Sequence, residues 1–265
     1  MCGTKDNQYM STKNNNHEYY GHYWNENMVT YLSHSAGGRW SKDLLDSLLA
    51  EIPMSSVKTI ADVGCGVGMK TAQMAKHFKK AEVYGYDFSE PGITAAKKFH
   101  NQKNVSFSTE DITKASNNKK FDLITSFDVL EHIDDWKDLV KKLIKSNNRY
   151  MLICAPVGRM RAYEPQIGHY RNFKRNEIEN FMESQGYKTV KTYYAGFPFY
   201  SPILRDLTNK FYKSYSETPQ TEMSFLSRRM HDVWYFLFRY CSSKKVGDNF
   251  IGLFEKPTAK ARKTR

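Results

Sequence analysis

The chain has 265 residues, 40% of them hydrophobic, so it can bury a full core within one domain. Its 40 Lys and Arg residues exceed the 28 Asp and Glu residues, for a net charge of +12, but their even spread favours a solvated basic surface over a DNA or RNA footprint. No apolar run approaches the roughly 18 residues of a membrane span, and the four scattered cysteines form no Cys-x-x-Cys pair, so we expect a cytoplasmic protein without a zinc site.

The amino-terminal part of the chain divides into two predicted segments. Residues 1–16 are rich in Asn, Lys, Thr and His and are expected to form a mobile tail. Residues 17–56 carry many aromatic side chains, including the run from Tyr19 to Trp24. This second segment is predicted to be helical and either to pack on the core or to cover a ligand.

A glycine-rich turn follows the first predicted strand, residues 57–61, and precedes a predicted helix. Gly64, Gly66 and Gly68 allow positive φ angles and a close approach of the backbone to a ligand. Met69 stands where a phosphate-binding Walker loop has its last glycine and where a dinucleotide fingerprint has its third. Those two ligand classes are therefore disfavoured, which leaves a third nucleotide-type loop or a turn without a ligand.

Further predicted strands also end next to polar or acidic residues. Residues 81–87 form a predicted strand ending at Asp87, about 20 residues beyond the glycine turn, where a carboxylate can accept both ribose hydroxyl protons. Phe88 follows and can stack on an adenine ring. Residues 104–109 and 121–127 are the next two predicted strands, and the second is apolar enough to be a buried central strand.

These features together resemble the class I S-adenosylmethionine-dependent methyltransferases, whose first motif, acidic-x-Gly-x-Gly-x-Gly, is found from Asp62 to Gly68. The resemblance implies S-adenosylmethionine as the cofactor, with Asp111 bonding the adenine amino group and Ile112 packing on the ring. It also implies that the segment beginning at Asp128 borders the methionine part and that the aromatic segment acts as a lid. The predicted cofactor-binding residues are Asp62, Gly64, Cys65, Gly66, Gly68, Asp87, Phe88, Asp111, Ile112, Phe127 and Asp128.

The later elements complete an α/β pattern. A helix is predicted over residues 137–144, a strand over 150–156, a helix over 175–185, and strands over 187–195 and 249–255. Strands that alternate with helices imply a doubly wound, mostly parallel sheet of seven strands covered on both faces. The predicted divisions are the tail 1–16, a helical lid 17–56, the cofactor-binding α/β core 57–196, a helical insertion 197–248, the last strand 249–256 and a basic tail 257–265.

The loop after the fifth strand is the predicted source of acceptor chemistry. Its sequence from Gly168 through His169 and Tyr170 to Arg171 resembles a stretch of methyltransferases that act on glycans, lipids and quinones. A hydroxyl acceptor must lose a proton during methyl transfer, and imidazole suits a general base near neutral pH. We predict His169 as this base, with His132 as the competing candidate; for both, packing or positioning is the alternative. Tyr170 and Arg171 are predicted to orient the acceptor.

A metal ion is not predicted. Glu131, Asp134 and Asp135 follow the fourth strand closely and offer oxygen ligands. Acidic residues at the start of a helix are favoured by the helix dipole, which explains this cluster without an ion.

About fifty residues separate predicted strands six and seven, where the resembled family has a short hairpin. Residues 225–240 are predicted to form an amphipathic helix whose apolar stripe is part of the core, a homodimer face or a contact with a membrane surface. The stripe comprises Phe225, Met230, Val233, Trp234, Leu237 and Phe238. Acceptor specificity is also expected to lie in this insertion.

The sequence predicts an S-adenosylmethionine-dependent O-methyltransferase acting on a sugar, sugar phosphate or surface-glycan precursor of polysaccharide biosynthesis. Methylation of a quinone-like lipid or of a small amine is an alternative. An RNA methyltransferase would need the basic surface to converge on the cleft. A non-catalytic cofactor-binding partner protein would keep the glycine turn and Asp87 without turnover.

Overall fold

The computed structural model describes residue 20 and residues 23–111, 119–211 and 223–257. The predicted mobile tail, the cofactor residue Ile112 and nearly all of the predicted basic tail lie outside the described residues.

One seven-stranded sheet forms the centre of the fold. Its strands are β1 (Thr59–Val63), β2 (Glu82–Asp87), β3 (Val105–Thr109), β4 (Phe121–Phe127), β5 (Asn147–Pro156), β6 (Lys188–Ala195) and β7 (Asn249–Glu255). Their order in the sheet is β3-β2-β1-β4-β5-β7-β6, and β7 alone runs antiparallel to its neighbours. The prediction of a doubly wound, mostly parallel sheet of seven strands is confirmed.

The helices of the described residues cover both faces of the sheet. They are α1 (Glu26–His34), α2 (Ala36–Leu49), α3 (Met69–His77), α4 (Glu90–Phe99), α5 (Trp136–Lys145), α6 (Glu177–Ser184), α7 (Arg205–Phe211) and α8 (Phe225–Tyr240). Short polar side chains begin two of them as the sequence suggests: Ser89 accepts a hydrogen bond from Gly92 N at 3.2 Å, and Asp135 accepts one from Asp138 N at 3.0 Å.

Alternation along the central strands gives the core its two largest clusters. The first lies under α2 and α3 and includes Ile60, Leu123, Leu152, Leu44 and Phe78. The second lies under α5 and α6 and includes Ala61, Ile124, Ile153, Trp136 and Met182. Because successive strand residues point to opposite faces, both sides of β1, β4 and β5 are buried. Because β1, β2 and β4 run parallel, their carboxyl ends share one edge of the sheet.

The apolar stripe predicted for the insertion is not one face of a helix. The helix itself is present as α8, but Phe238 is 1% exposed and packs against Trp40 of α2, whereas Phe225 is 74% exposed. Met230 and Val233 are exposed as well. The six predicted stripe residues extend over more than half of the helix circumference, so packing on α2 covers only one part of them.

None of the helices in the described part of the chain has both the length and the apolar character needed to cross a membrane.

Candidate active site

The three glycines of the turn after β1 form a cradle that no larger residue fits. Gly64, Gly66 and Gly68 have φ angles of 73°, 53° and 75°. A methyl group on Gly64 would lie 2.4 Å from a Val129 methyl carbon, and one on Gly68 would lie 2.6 Å from the Phe107 ring. Both the positive φ and the lack of space therefore require glycine here.

The Asp62 side chain holds the glycine turn in place. Its carboxylate is buried and accepts hydrogen bonds from the Thr71 hydroxyl of α3 at 2.6 Å and from the Thr125 hydroxyl of β4 at 2.7 Å. Burial raises the pKa of Asp62, and the two threonine hydroxyls oppose that effect. Asp62 thus ties the turn to two neighbouring elements and also reaches the cavity described next.

A cavity of about 380 Å³ opens at the carboxyl ends of β1, β2 and β4. We call it the cofactor cavity. Its wall is formed by Tyr20, Trp24, Leu32, Asp62, Gly64, Cys65, Val67, Met69, Lys70, Tyr86, Asp87, Phe88, Glu110, Asp111, Phe127, Asp128, Val129, His132, Ile133, Asp134 and Tyr170. Eight of the predicted cofactor residues, drawn from four separate strand ends, therefore meet around a single space.

Asp87 is held in place by the backbone at the end of β2. One carboxylate oxygen accepts a hydrogen bond from Gly66 N at 2.7 Å, and the other accepts one from Ser89 N at 2.9 Å. Burial raises the pKa of Asp87, while these backbone donors favour the charged form. The carboxylate is thus positioned on the cavity wall without a lysine or arginine partner among the described ion pairs.

The amino-terminal aromatic residues cover the glycine turn. A methyl group on Gly66 would lie 2.9 Å from the ring of Trp24, so the indole lies directly over this glycine. Tyr20 stacks beside Trp24, with ring centroids 6.3 Å apart. Both side chains line the cofactor cavity, which is the position expected of a lid.

A Trp24→Ala variant is expected to bind S-adenosylmethionine about tenfold more weakly, because it removes an aromatic contact of about 1.5 kcal/mol and opens the cavity to water. Trp24→Phe keeps an aromatic ring and is expected to lose less. Isothermal titration calorimetry of the three proteins measures the difference. Equal affinities for Trp24→Ala and wild type would show that the aromatic segment only packs on the core.

Lys70 is a cavity residue that the sequence reasoning missed. Its Nζ lies 3.7 Å from an Asp128 carboxylate oxygen and 4.8 Å from the centroid of the Phe127 ring. Asp128 adopts a φ of 55°, which turns its half-exposed side chain towards the cavity. Lys70 is the second residue of α3 and directly follows the glycine turn. This position next to the turn is the signal that could have identified it as a cavity residue.

The cavity ends at a cluster of the buried Glu131 and the partly buried His132 and His169, which we call the triad. The two imidazole rings are perpendicular, with centroids 4.6 Å apart. One ligating atom from each of the three side chains lies within 4.8 Å of the others. His132 lines the cofactor cavity, whereas His169 lies behind it and is absent from the cavity wall. The structure thus brings both predicted histidines together but exposes only His132 to the cavity.

Hydrogen bonds define the tautomer of His132. Its Nδ1–H donates to Gly168 O at 3.2 Å, so Nε2 carries the lone pair that faces the Tyr20 hydroxyl at 3.3 Å. Burial, with a smaller contribution from the neighbouring His169, lowers the pKa of His132 to about 3. Burial likewise lowers the pKa of His169 to about 4, against smaller opposing effects of Asn172 and Asp128.

Glu131 is the most buried member of the triad, at 1% exposure. Burial raises the pKa of its carboxyl well above the usual value, and the charge of Asp128 adds to this effect. Its backbone carbonyl accepts a hydrogen bond from Tyr170 N at 2.8 Å. This bond joins the loop after β5 to the turn after β4 and sets Tyr170 on the cavity wall.

The other predicted acceptor residue, Arg171, does not line the cavity. Its guanidinium donates to Asp134 O at 2.5 Å and lies 3.5 Å from the Asp134 carboxylate. Asp134 itself lines the cavity, so Arg171 supports the wall from behind. Its contact with the acceptor therefore stays a prediction that this position behind the wall does not support.

A buried ionic network holds the acceptor loop in place. Glu164 accepts a hydrogen bond from Arg205 of α7 and one from Asn172 Nδ2 at 3.1 Å. Arg161 pairs with Asp206 at 2.7 Å and with Asp248 at 3.1 Å. Arg161, Glu164 and Arg205 are all buried. The insertion therefore contributes to the site by anchoring the loop that carries His169 and Tyr170.

The residues present fit S-adenosylmethionine on two structural grounds. The first is the glycine turn, of which Gly64 lines the cavity, and the second is the buried Asp87 carboxylate on the same wall. Such a cradle and carboxylate on a sheet with an antiparallel seventh strand define the class I S-adenosylmethionine-dependent methyltransferases. A methyltransferase-domain family profile matches residues 55–232. The chain belongs to this family, as the sequence predicted.

Curated relatives share part of the chain. A malonyl-[acyl-carrier protein] O-methyltransferase from Bacillus anthracis is 32% identical over 105 residues, which cover 40% of this chain and 39% of that protein. The mitochondrial ubiquinone biosynthesis O-methyltransferase from Candida albicans is 37% identical over 90 residues, or 32% of this chain and 27% of that protein. The chain therefore matches less than half the length of either relative.

Solved structures share the fold over nearly the whole chain. Phosphoethanolamine N-methyltransferase 2 from Haemonchus contortus, in complex with S-adenosyl-L-methionine, has a TM-score of 0.62 and 19% identity and covers 95% of this chain and 61% of its own. Magnesium protoporphyrin IX methyltransferase from Synechocystis PCC 6803, with bound S-adenosylmethionine, has a TM-score of 0.57 and 16% identity and covers 95% and 100%. At these identities the likeness shows the shared fold.

Proposed function

We propose that this protein transfers the methyl group of S-adenosylmethionine to a hydroxyl of a small acceptor, and that the acceptor is a sugar or a sugar-derived glycan precursor. The observation that carries the proposal is the triad at the end of the cofactor cavity. The neutral imidazole of His132 lines the same cavity as Tyr20 and Tyr170, and the buried carboxyl of Glu131 belongs to the cluster behind it. Groups of this kind suit a hydroxyl acceptor, whose proton must be removed.

Each part of the cavity has a separate task in this reaction. Asp87 and the glycine cradle would hold the ribose and the amino acid part, and Phe88 and Asp111 would contact the adenine. When bound, S-adenosylmethionine supplies a methyl group on a sulfonium, and after transfer to the acceptor oxygen the C–S electron pair remains on a neutral thioether. His132 is the cavity-wall base to which the acceptor proton can move. Tyr20 and Tyr170 orient the acceptor oxygen so that the reacting atoms are close and collinear.

The charged side chains on the cavity wall indicate whether the acceptor is charged or neutral. Asp128 and Asp134 lie at the triad end, and Lys70 is the cation beside them on the cavity wall. Carboxylates accept hydrogen bonds from sugar hydroxyls but repel a phosphate, so an uncharged sugar hydroxyl is favoured over a group next to a phosphate. The chain as a whole is positively charged, but the wall of the cavity carries more acidic than basic side chains.

A phenolic ring is the second candidate acceptor. Tyr20, Tyr170 and Phe127 offer aromatic surfaces on the cavity wall, against which a flat ring can pack. A relative with 37% identity over 90 residues is named as a ubiquinone biosynthesis O-methyltransferase, which makes a hydroxylated quinone precursor a reasonable acceptor to test.

Methyl transfer from labelled cofactor to a panel of acceptors tests the proposal. The panel contains free sugars and nucleotide sugars, catechols and hydroxylated quinones, small amines, malonyl thioesters and RNA. We expect label in a sugar O-methyl product. Label only in a catechol or quinone would support the second candidate, and label only in an amine, a thioester-linked carboxyl or RNA would refute O-methylation of a hydroxyl. Cofactor binding without transfer to any acceptor would indicate a non-catalytic partner protein.

His132→Gln is expected to lower kcat by at least about tenfold with saturating cofactor, because glutamine keeps hydrogen-bonding capacity but is not a base. His169→Gln is expected to have a smaller effect if His169 only supports His132. Steady-state kinetics with the acceptor found above measures both. Near-normal turnover of His132→Gln would rule out its role as the proton acceptor.

A further inference from the structure

We propose that Glu131, His132 and His169 form a binding site for one divalent transition-metal ion, with the acceptor oxygen as a further ligand. The inference rests on the proposed function for its chemistry, but the site can be measured without any acceptor. It differs from the sequence prediction, which explained Glu131 together with Asp134 and Asp135 by the helix dipole. Asp134 and Asp135 are not members of the cluster, and two histidines replace them.

Unpaired polar atoms are the first observation behind the site. The Oε2 atom of Glu131 and the Nδ1 atom of His169 are both buried and have no hydrogen-bond partner in the described part of the chain. Buried polar atoms are nearly always satisfied, so two unpaired atoms on members of one side-chain cluster need an explanation. Glu131 is also 1% exposed and has no ion pair with a described lysine or arginine. A cation between these atoms would satisfy both.

The donor set is the second observation. One carboxylate and two imidazoles are ligands typical of zinc, iron or manganese, whereas magnesium and calcium prefer oxygen alone. His132 donates its Nδ1–H to Gly168 O, the arrangement that commonly orients a metal-ligating histidine and leaves Nε2 as the ligand. The Tyr20 hydroxyl, now near Nε2, also lies 3.1 Å from Ile167 O and would keep that acceptor.

The spacing of the triad is close to that of a metal site. Its ligating atoms lie within 4.8 Å of one another. Atoms bonded at about 2.1 Å to one tetrahedral ion lie roughly 3.4 Å apart, so side-chain rotations that move each atom by about 1 Å complete the site. His132 also reaches the cofactor cavity, which leaves an open coordination position on the side where the acceptor would lie.

The ion would change how the acceptor proton is removed. An acceptor hydroxyl bound to a cation has a lowered pKa, so its proton leaves before or during formation of the C–O bond. The two histidines would then be ligands, and the role of base proposed above for His132 would pass to another group. Asp128, which lines the cavity and is half-exposed, can take the proton. The oxygen keeps its electron pair for the new bond, and no oxidant or reductant is required.

Metal binding to the purified full chain tests the proposal. After chelator treatment and dialysis, the protein is titrated with Co²⁺ and Zn²⁺ by calorimetry, and the visible absorption of bound Co²⁺ is recorded. We expect one ion per chain, with absorption bands of a histidine-containing site and no binding of Mg²⁺ at the same concentration. Glu131→Gln and His169→Ala are each expected to weaken Co²⁺ binding at least about tenfold.

Glu179→Gln is the matched control. Glu179 is also a buried glutamate with an unpaired Oε2 atom, but it lies on α6 beside Tyr194 and outside the triad. It is expected to bind Co²⁺ like wild type, and circular dichroism identifies any variant that fails to fold. If a variant is unfolded, His132→Gln replaces it. Wild-type affinity no higher than that of the triad variants, or an equal loss in Glu179→Gln, would overturn the site.

The two proposals fail in different ways. Methyl transfer that persists in chelator, from protein that binds no Co²⁺, would overturn the metal site and leave the proposed function intact. Stoichiometric Co²⁺ binding at the triad without methylation of any hydroxyl would overturn the proposed function and leave the site.

Discussion

An Asp87→Ala variant is expected to bind S-adenosylmethionine about 10²–10⁴-fold more weakly than wild type. The carboxylate is already oriented by Gly66 N and Ser89 N, and it faces the cofactor cavity with its remaining acceptor capacity. Two hydrogen bonds from ribose hydroxyls to a charged acceptor contribute about 1.5–3 kcal/mol each, and alanine removes both. Isothermal titration calorimetry with the cofactor and its demethylated product measures the loss.

Asp122→Ala provides a control with similar chemistry at the opposite edge of the sheet. The Asp122 carboxylate accepts hydrogen bonds from Lys58 N at 2.8 Å and from Thr59 N at 3.1 Å, at the amino end of β1. It is expected to lower thermal stability while leaving cofactor affinity unchanged. A similar loss of affinity in both variants would mean that Asp87 acts through stability alone, and unchanged affinity in Asp87→Ala would refute the ribose contact.

Glu164→Ala is expected to lower the free energy of unfolding by about 3–5 kcal/mol, because it leaves the buried Arg205 without its carboxylate partner. The same change removes the acceptors of Asn172 Nδ2 and of the Arg161 backbone N–H. The loop that carries His169 and Tyr170 should loosen, so catalytic turnover should fall more than cofactor affinity. Denaturant unfolding and cofactor calorimetry together separate the two effects.

A double variant shows whether the loss is due to the unpaired charge. Adding Arg205→Met to Glu164→Ala removes the isolated cation, and we expect it to recover part of the lost stability. Asp138→Ala, which removes the exposed pair with Lys142, is expected to change stability far less. If Glu164→Ala were no more destabilising than Asp138→Ala, the network would not anchor the loop.

The cofactor half of the site was accessible from the sequence because each of its signals is local. The glycine turn is a run of a few residues between a strand and a helix, Asp87 ends a predicted strand, and Asp128 directly follows one. Parallel strands bring their carboxyl ends to one edge, so residues that are far apart in the chain meet by the topology alone. Eight predicted residues around one cavity follow from that rule.

The acceptor half of the site could be predicted only in part from the sequence. His169 and His132 were predicted as competing bases, but which of the two reaches the cavity depends on the path of the loop. That path is set by Arg205 and Asp248, which lie in the insertion and outside any sequence pattern that includes His169. Lys70 was missed as a cavity residue because its contact with Asp128 is not periodic, whereas Trp24 belongs to the aromatic segment that was predicted to cover the ligand.

The sequence by itself determined the seven-stranded α/β fold, the methyltransferase family and the positions of the glycine cradle and Asp87, because strand and helix periodicity and turn glycines act between near neighbours. Only the tertiary structure decided that Glu131, His132 and His169 form one triad and that α8 has one covered and one exposed apolar face. Burial, unpaired atoms and charge pairing arise from contacts between distant segments, and no local pattern encodes them.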